Sequence, residues 1–288
     1  MTTFYVGGSQ RSGTTLLQTI LCQDGSTNPL IHEAKYFRHL LAAYRFGKRA
    51  FTGETCDYFR DLEDYRAFNA HLMMEALTKF SQMFPEARHL VLREPHLTIF
   101  FPVLHELLPD SRFLLIVRDP RDVVASMLRV GEKLAGQGQQ EDGMARLFNS
   151  RNMPAIAAHY LSFYGPALSY NDPDYRRALL VLRYEDLVQS PREYVEKLRT
   201  FTGLPLAKVD FSSDPDPGRV NYQSETDYQS AWNTKLYGKK ISFSSVGGYK
   251  EVLNEKEIRQ VERRCRNFFE AFNYEPAAVG SGPRPAPG

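Results

Sequence analysis

The stretch FYVGGSQRSGTTLLQTIL, residues 4 to 21, constrains the fold more than any other part of the chain. It opens as a short apolar strand, turns through closely spaced glycines, and continues with the apolar period of an amphipathic helix. Gly7 and Gly8 allow a tight turn, and Gly13 lets backbone N–H groups approach an anion closely. Ser12, Thr14 and Thr15 add hydroxyl donors at a helix N-terminus, where the helix dipole favours negative charge. Strand, turn and helix in this order build a cradle for a phosphate or a sulfate.

The spacing of Gly8 and Gly13 is that of a nucleotide-binding P-loop, with one departure. Where an NTPase carries a lysine that reaches the β- and γ-phosphates, this chain has Thr14, and its cation, Arg11, lies inside the loop. No acidic residue closes the most apolar strand, FLLIV at 113 to 117. Arg118 stands there instead, and it would repel Mg²⁺ and attract another phosphate. The chain thus departs from Mg²⁺–triphosphate chemistry in two independent places. An unusual P-loop kinase and a non-catalytic nucleotide-binding protein stand as the rival readings.

Apolar runs at Phe4 to Val6, Pro29 to His32, His89 to Leu92, Phe113 to Val117 and Ala178 to Leu182 read as strands separated by stretches of helical period. This alternation predicts an α/β fold, a P-loop-type central parallel sheet of about five strands with helices on both faces. Helices are expected over about 13–22, 62–84, 120–133, 144–164 and 191–202. A capping-box pattern, Asn254 with Glu257, opens a last one in which Ile258, Val261, Cys265, Phe268 and Phe272 share a face. GQGQQEDG, residues 136 to 143, reads as a surface loop or lid, and the irregular segment from about 210 to 249 reads as functional. Residues 1–274 are expected to form one domain and 275–288 a disordered tail.

With 42% hydrophobic and 24% charged residues over 288 positions, the chain has the composition of a globular protein with a sizeable core. The net charge of +2 is too small to argue for a nucleic-acid surface, and no nucleic-acid partner is expected. Cys22, Cys56 and Cys265 show neither zinc spacing nor the even count of a disulfide framework, so no metal is expected. The N-terminus enters a strand at once and no apolar run would cross a bilayer. A cytoplasmic protein without a membrane span is the expectation.

IVRDPRDVVASM, residues 116 to 127, places Arg118 at the carboxyl end of the most apolar strand, the edge where open α/β folds bind ligands. Asp119 can cap the next helix, Pro120 suits its first turn, and Ser126 lies about two turns in. Taken alone, Arg118 and Arg121 read equally well as surface cations paired with Asp119 and Asp122.

Together the two segments resemble the sulfotransferases that use 3′-phosphoadenosine 5′-phosphosulfate (PAPS), and the cradle is most similar to the protein-tyrosine branch. The resemblance implies that Arg11, Ser12, Gly13, Thr14 and Thr15 grip the 5′-phosphosulfate, while Arg118 and Ser126 hold the 3′-phosphate. VLRYEDLV, residues 181 to 188, carries over Tyr184 as a cofactor contact. YGKKISFSSVGGYKEVL, residues 237 to 253, resembles a segment that closes over the nucleotide, with Lys239, or else Lys240, as its lysine. The protein-tyrosine branch has a further arginine four residues beyond the serine; here that position is Val130, and Arg129 comes one place early.

The same resemblance implies in-line transfer of a sulfuryl group to an acceptor hydroxyl, with no metal and with PAP as product. Arg11 would stabilise charge on the bridging oxygen. Glu33, at the end of PLIHEAKYF, matches the catalytic glutamate of the protein-tyrosine branch after a one-residue shift. His96, in VLREPHL, resembles the base of the cytosolic small-molecule branch, and Arg93 stands where relatives carry a lysine. A hydroxyl on tyrosine, on a sugar or on a small alcohol fits equally. Tyr36, Phe37, Tyr44 and Phe46 follow Glu33 closely and are candidates either for an acceptor pocket or for the core.

Overall fold

A computed structural model describes residues 1–139, 141–206, 214–220, 232 and 242–277. Its sheet has four parallel strands, β1 (Thr2–Gly7), β2 (His89–Arg93), β3 (Arg112–Val117) and β4 (Leu179–Arg183), in the order β2-β1-β3-β4. Between them run α1 (Thr14–Cys22), α2 (Lys35–Arg49), α3 (Leu62–Ser81), α4 (Phe101–Leu107), α5 (Pro120–Gly136), α6 (Gly143–Asn149), α7 (Met153–Ser162), α8 (Gly165–Ser169) and α9 (Pro173–Ala178). After β4 come α10 (Tyr184–Gln189) and α11 (Pro191–Thr202), and two short helices, Glu255–Arg264 and Arg266–Phe272, close the described chain.

The α/β sheet is covered on both faces, and β3 shows how. Phe113, Leu115 and Val117 enter one apolar cluster with residues of α2, α4, α5 and α7, while Leu114 and Ile116 enter a second with α1, α10 and α11. Alternate side chains of a strand point to opposite faces, so only a run apolar at every position can serve both clusters. The strand order reverses between β1 and β3, which opens a crevice at their carboxyl ends. The glycine-rich turn leaves β1 at that edge, and Arg118 follows β3 there.

Among the described residues four strands form rather than about five, because the run Pro29 to His32 makes no ladder there. One isolated bridge, Leu30 to Val220, is made by this stretch among the described residues, and Thr27 just before it bridges to His89. Pro29 has no N–H to donate, and side chains take over the pairing. Asn28 accepts from the Val91 N–H at 2.6 Å and returns Nδ2–H to the Val91 carbonyl at 3.3 Å, covering the free edge of β2. The backbone rejoins that strand at Ala34, whose N–H donates to the Arg93 carbonyl at 2.9 Å.

The helix expected over 144–164 is two helices. Arg151 adopts a positive φ of 48°, Asn152 accepts from the Ala155 N–H at 3.1 Å, and Pro154 stands in the new first turn, where its missing N–H costs nothing. The capping box at Asn254 and Glu257 forms in both directions. Within the 136–143 stretch, Asp142 caps α6 through the N–H groups of Met144 and Ala145. Helix α2 was not foreseen; it buries Phe37 and Tyr44 in the core and leaves Tyr36 and Phe46 exposed.

Candidate active site

The turn after β1 is held from outside by side chains distant in sequence. The Gly8 N–H donates to Thr98 Oγ1 at 2.7 Å, and that hydroxyl donates to the Pro95 carbonyl at 2.7 Å. The Ser9 N–H donates to the Tyr164 hydroxyl at 3.0 Å, which donates in turn to the Ile116 carbonyl at 3.2 Å. Ser12 is buried, and its hydroxyl donates to the Ser9 carbonyl at 2.6 Å, so it shapes the turn. Gly13 has φ +101°, and a Cβ there would lie 2.5 Å from the Tyr184 ring. Only glycine tolerates both conditions. Thr14 and Thr15 open α1 directly beyond it.

Around this turn the structure brings together Arg11, Arg118, Ser126 and Tyr184. Arg11 Nε donates to Ser126 Oγ at 3.0 Å, and Arg118 Nη1 donates to the Arg11 carbonyl at 3.2 Å. The Arg118 guanidinium lies 4.4 Å over the Tyr184 ring, and its Nη2 donates to the Ser245 carbonyl at 2.6 Å. Ser245 Oγ is 2.8 Å from the Tyr184 hydroxyl. Burial draws the Arg11 pKa down to about 10, and the charge of Arg118 adds to the shift. Arg118 Nε is buried with no partner among the described residues.

Its neighbour plays another part. Arg121 pairs with Asp119 and with Glu262, each at 2.7 Å, and its guanidinium lies 4.6 Å over Tyr249. Asp122 accepts from the N–H groups of Gly247 and Tyr249, at 2.8 and 2.9 Å, tying the 242–253 segment to the start of α5. Arg118 approaches Asp122 only to 3.8 Å. The four charges of RDPRD thus divide: Arg121 and both aspartates hold the fold, and Arg118 faces the crevice. Lys239 and Lys240 lie outside the described residues.

A second cluster forms where β2 ends. Glu33 precedes α2 on the extended connection, and its Oε1 accepts from Arg93 Nη1 at 2.9 Å, with Lys35 Nζ 3.8 Å from Oε2. Arg93 is buried and also donates Nε–H to Gln18 Oε1 of α1 at 2.9 Å. His96 Nδ1 is 3.0 Å from Glu94 Oε1, and the ring packs 5.0 Å from Phe163. His159 of α7 is 3.1 Å from Gln10 Oε1 through Nε2 and packs 5.1 Å from the same Phe163.

Gln18, Glu94, Arg38, Thr98, Tyr164 and His159 were not singled out from sequence. Glu94 had a signal, since it lies between two candidates in the run REPH. The others gave none, because each reaches the site only through tertiary packing: Gln18 on α1, Arg38 on α2, Thr98 in the segment between β2 and α4, His159 on α7 and Tyr164 just beyond it.

A family model described as "Sulfotransferase family" matches residues 4–208. The chain belongs to this family. Among its relatives, a Caenorhabditis briggsae protein named "Putative protein-tyrosine sulfotransferase" is 25% identical over 205 residues, 69% of this chain and 65% of that protein. Mouse carbohydrate sulfotransferase 5 is 27% identical over 224 residues, 70% of this chain and 50% of that protein. The chain therefore spans less than two thirds of these relatives' lengths. In fold it is similar to the sulfotransferase domain of the Synechococcus PCC 7002 olefin synthase, with a TM-score of 0.55 and 16% identity over 96% of this chain and 95% of that one. Among the described residues of this sulfotransferase-family chain, no helix is long and apolar enough to cross a membrane, and no acidic, histidine and cysteine side chains cluster as a metal site would require.

Proposed function

We propose that the chain is a PAPS-dependent sulfotransferase that moves a sulfuryl group to an acceptor hydroxyl. The observation that carries this reading is the cation pair in the crevice. Arg11 has a lowered pKa beside Arg118, and Arg118 keeps a buried, unpartnered Nε–H among the described residues. Two such guanidinium groups are stabilised by anionic oxygens. The glycine turn, with Gly13 at a φ of +101° directly before α1, sets its backbone N–H groups at a helix N-terminus, which suits one such anion. A nucleotide with phosphate groups at both its 3′ and 5′ ends fits this donor set. When bound, PAPS supplies a sulfuryl group carried on a phosphate leaving group.

In this reading the backbone of Gly13 and the residues Thr14 and Thr15 hold the 5′ end, and Ser12 keeps the turn in shape. Arg118, Ser126 and Tyr184 hold the 3′ end, and Lys239 is assigned to the nucleotide by resemblance. Arg11 stabilises charge on the bridging oxygen, a task suited to a planar guanidinium that can donate twice. Glu33 takes the acceptor proton, and Arg93 orients that carboxylate through its 2.9 Å contact. The acceptor is a hydroxyl of a tyrosine, a sugar or a small alcohol.

Thermal unfolding with PAP, and transfer of labelled sulfate from PAPS across a panel of acceptors, test the reading. PAP without Mg²⁺ should raise Tm, with about 2.7 kcal/mol of added stability at a concentration 100 times its Kd. Failure of PAP to bind below millimolar concentration overturns the reading. Tighter binding of ATP with Mg²⁺ favours the kinase, and PAP binding without transfer to any acceptor favours a non-catalytic nucleotide-binding protein.

A further inference from the structure

A buried amide joins the helix behind the cradle to the carboxylate at the rim. Gln18 lies on α1, about one turn and about 6 Å beyond Thr14. It is 0% exposed. Its Nε2 faces the Ile31 carbonyl at 3.4 Å, on the connection that carries Glu33, and the Val91 carbonyl at 3.5 Å, on β2. Its Oε1 accepts from Arg93 Nε–H at 2.9 Å. These contacts fix which way the amide faces. Turned over, it would set its oxygen against two carbonyls and its N–H groups against a guanidinium that can only donate.

Arg93 is itself buried, and its guanidinium is held along two edges. Nε–H goes to Gln18 Oε1 and Nη1–H to Glu33 Oε1, each at 2.9 Å. Lys35 stands 3.8 Å from Glu33 Oε2 with half of its side chain in solvent, so it holds the carboxylate only loosely. The aim of Glu33 thus depends on the plane of Arg93, and that plane is set at Gln18. A neutral amide suits the task, because it accepts the hydrogen bond and leaves the charge of Arg93 to Glu33. A carboxylate in its place would compete for that charge.

We propose that Gln18 is a positioning residue for Glu33, acting through Arg93. The proposal rests on the reading above, in which Glu33 takes the acceptor proton. Thr14 and Gln18 ride on one helix, so the anion cradle and the proton acceptor are registered to the same rigid element. The carboxylate then meets the acceptor hydroxyl in a fixed relation to the 5′ end of the nucleotide.

Two measurements on the full chain test this. The first needs no substrate and no change at Gln18. In the ¹H–¹⁵N spectrum, the Arg93 Nε–H signal is assigned by its loss in Arg93→Lys. It should exchange with solvent at least about tenfold more slowly than the Nε–H groups of exposed arginines, because it is bonded inside the fold. The second is turnover beside PAP titration. Gln18→Met keeps the length of the side chain and removes the acceptor oxygen. Its kcat should fall about tenfold, with the Kd for PAP and the KM for the acceptor within about twofold of wild type. Arg93→Lys breaks the same link, so the double variant should also fall about tenfold rather than about a hundredfold.

An Arg93 Nε–H that exchanges like an exposed one overturns the proposal, whether or not Gln18→Met folds. So does a Gln18→Met enzyme with kcat within about twofold of wild type; a lowered Tm alone would then mean that the amide only satisfies a buried guanidinium. An additive loss in the double variant, or a loss of PAP affinity that matches the loss in kcat, overturns it as well, since Gln18 would then act apart from Arg93 or through the helix as a whole. A wild-type chain that binds PAP and transfers no sulfuryl group overturns the parent reading and this role with it, however slowly Arg93 exchanges.

Discussion

The cradle around Gly13 is made of backbone groups and of buried side chains that grip it from outside, whereas the rim at Glu33 is made of charged side chains that grip one another. Thr98, Tyr164 and Ser12 each fix one point of the turn, and none of them is ionised. At the rim, Glu33 is placed by Arg93 and Lys35, and His96 by Glu94. A backbone cradle fixes an anion regardless of what is attached to it. A rim of long side chains can be re-aimed by exchanging one residue, which suits a family whose acceptors differ.

The comparison breaks most severely at Gly13. Gly13→Ala puts a Cβ 2.5 Å from the Tyr184 ring at a φ of +101° that other residues rarely adopt. Either the turn or Tyr184 must move, and in the proposed reading the turn holds the 5′ end of the nucleotide and Tyr184 its 3′ end. The strain costs about 1–3 kcal/mol before any clash is counted. PAP affinity measured by calorimetry should fall about 100-fold or more, together with Tm. A variant that binds PAP within threefold of wild type would show that the turn is not the anion site.

That turn was legible in the sequence because glycine spacing reports a local backbone requirement, and the same holds for Arg118 at the end of an apolar run. Legibility failed where pairing was not local. The run Pro29 to His32 looks like a strand by composition, yet Asn28 bonds the edge of β2 in its place, which needs the strand to be present before it means anything. Glu33 was found by resemblance to a catalytic glutamate; that Arg93 and Gln18 would line up behind it depends on how α1 packs against β2. The long helix expected over 144–164 hid a break whose signals, Asn152 and Pro154, were local and were overlooked.

A milder change should divide the two regions cleanly. Arg93→Lys keeps the charge behind Glu33, yet a lysine cannot bond Gln18 and Glu33 along the two edges of one planar group, as Arg93 does at 2.9 Å each. Losing one charge-assisted bond of about 1.5 kcal/mol predicts roughly a tenfold fall in kcat, with PAP affinity unchanged within about twofold. Steady-state kinetics beside PAP titration would check it. Equal losses in both quantities would mean that the rim and the cradle are one mechanical unit.

The smallest expected effect concerns His159, which bridges the regions: Nε2 lies 3.1 Å from Gln10 in the cradle, and the ring packs on Phe163, which packs on His96 at the rim. Burial, helped by repulsion from His96, lowers its pKa from 6.5 to about 4. In the unfolded chain the ring gains a proton as pH falls through about 6.5, while the folded ring resists protonation until about 4. The stability owed to this neutral ring is therefore complete above 6.5 and is lost as pH falls towards 4. By pH 5 the loss amounts to at most about 2 kcal/mol, and solvent contact at a half-exposed ring reduces it. His159→Gln can keep an amide hydrogen bond to Gln10 but binds no proton in this range. Its Tm should drop less than the wild-type Tm between pH 7.5 and pH 5, and identical drops would mean that the folded ring titrates as freely as the unfolded one.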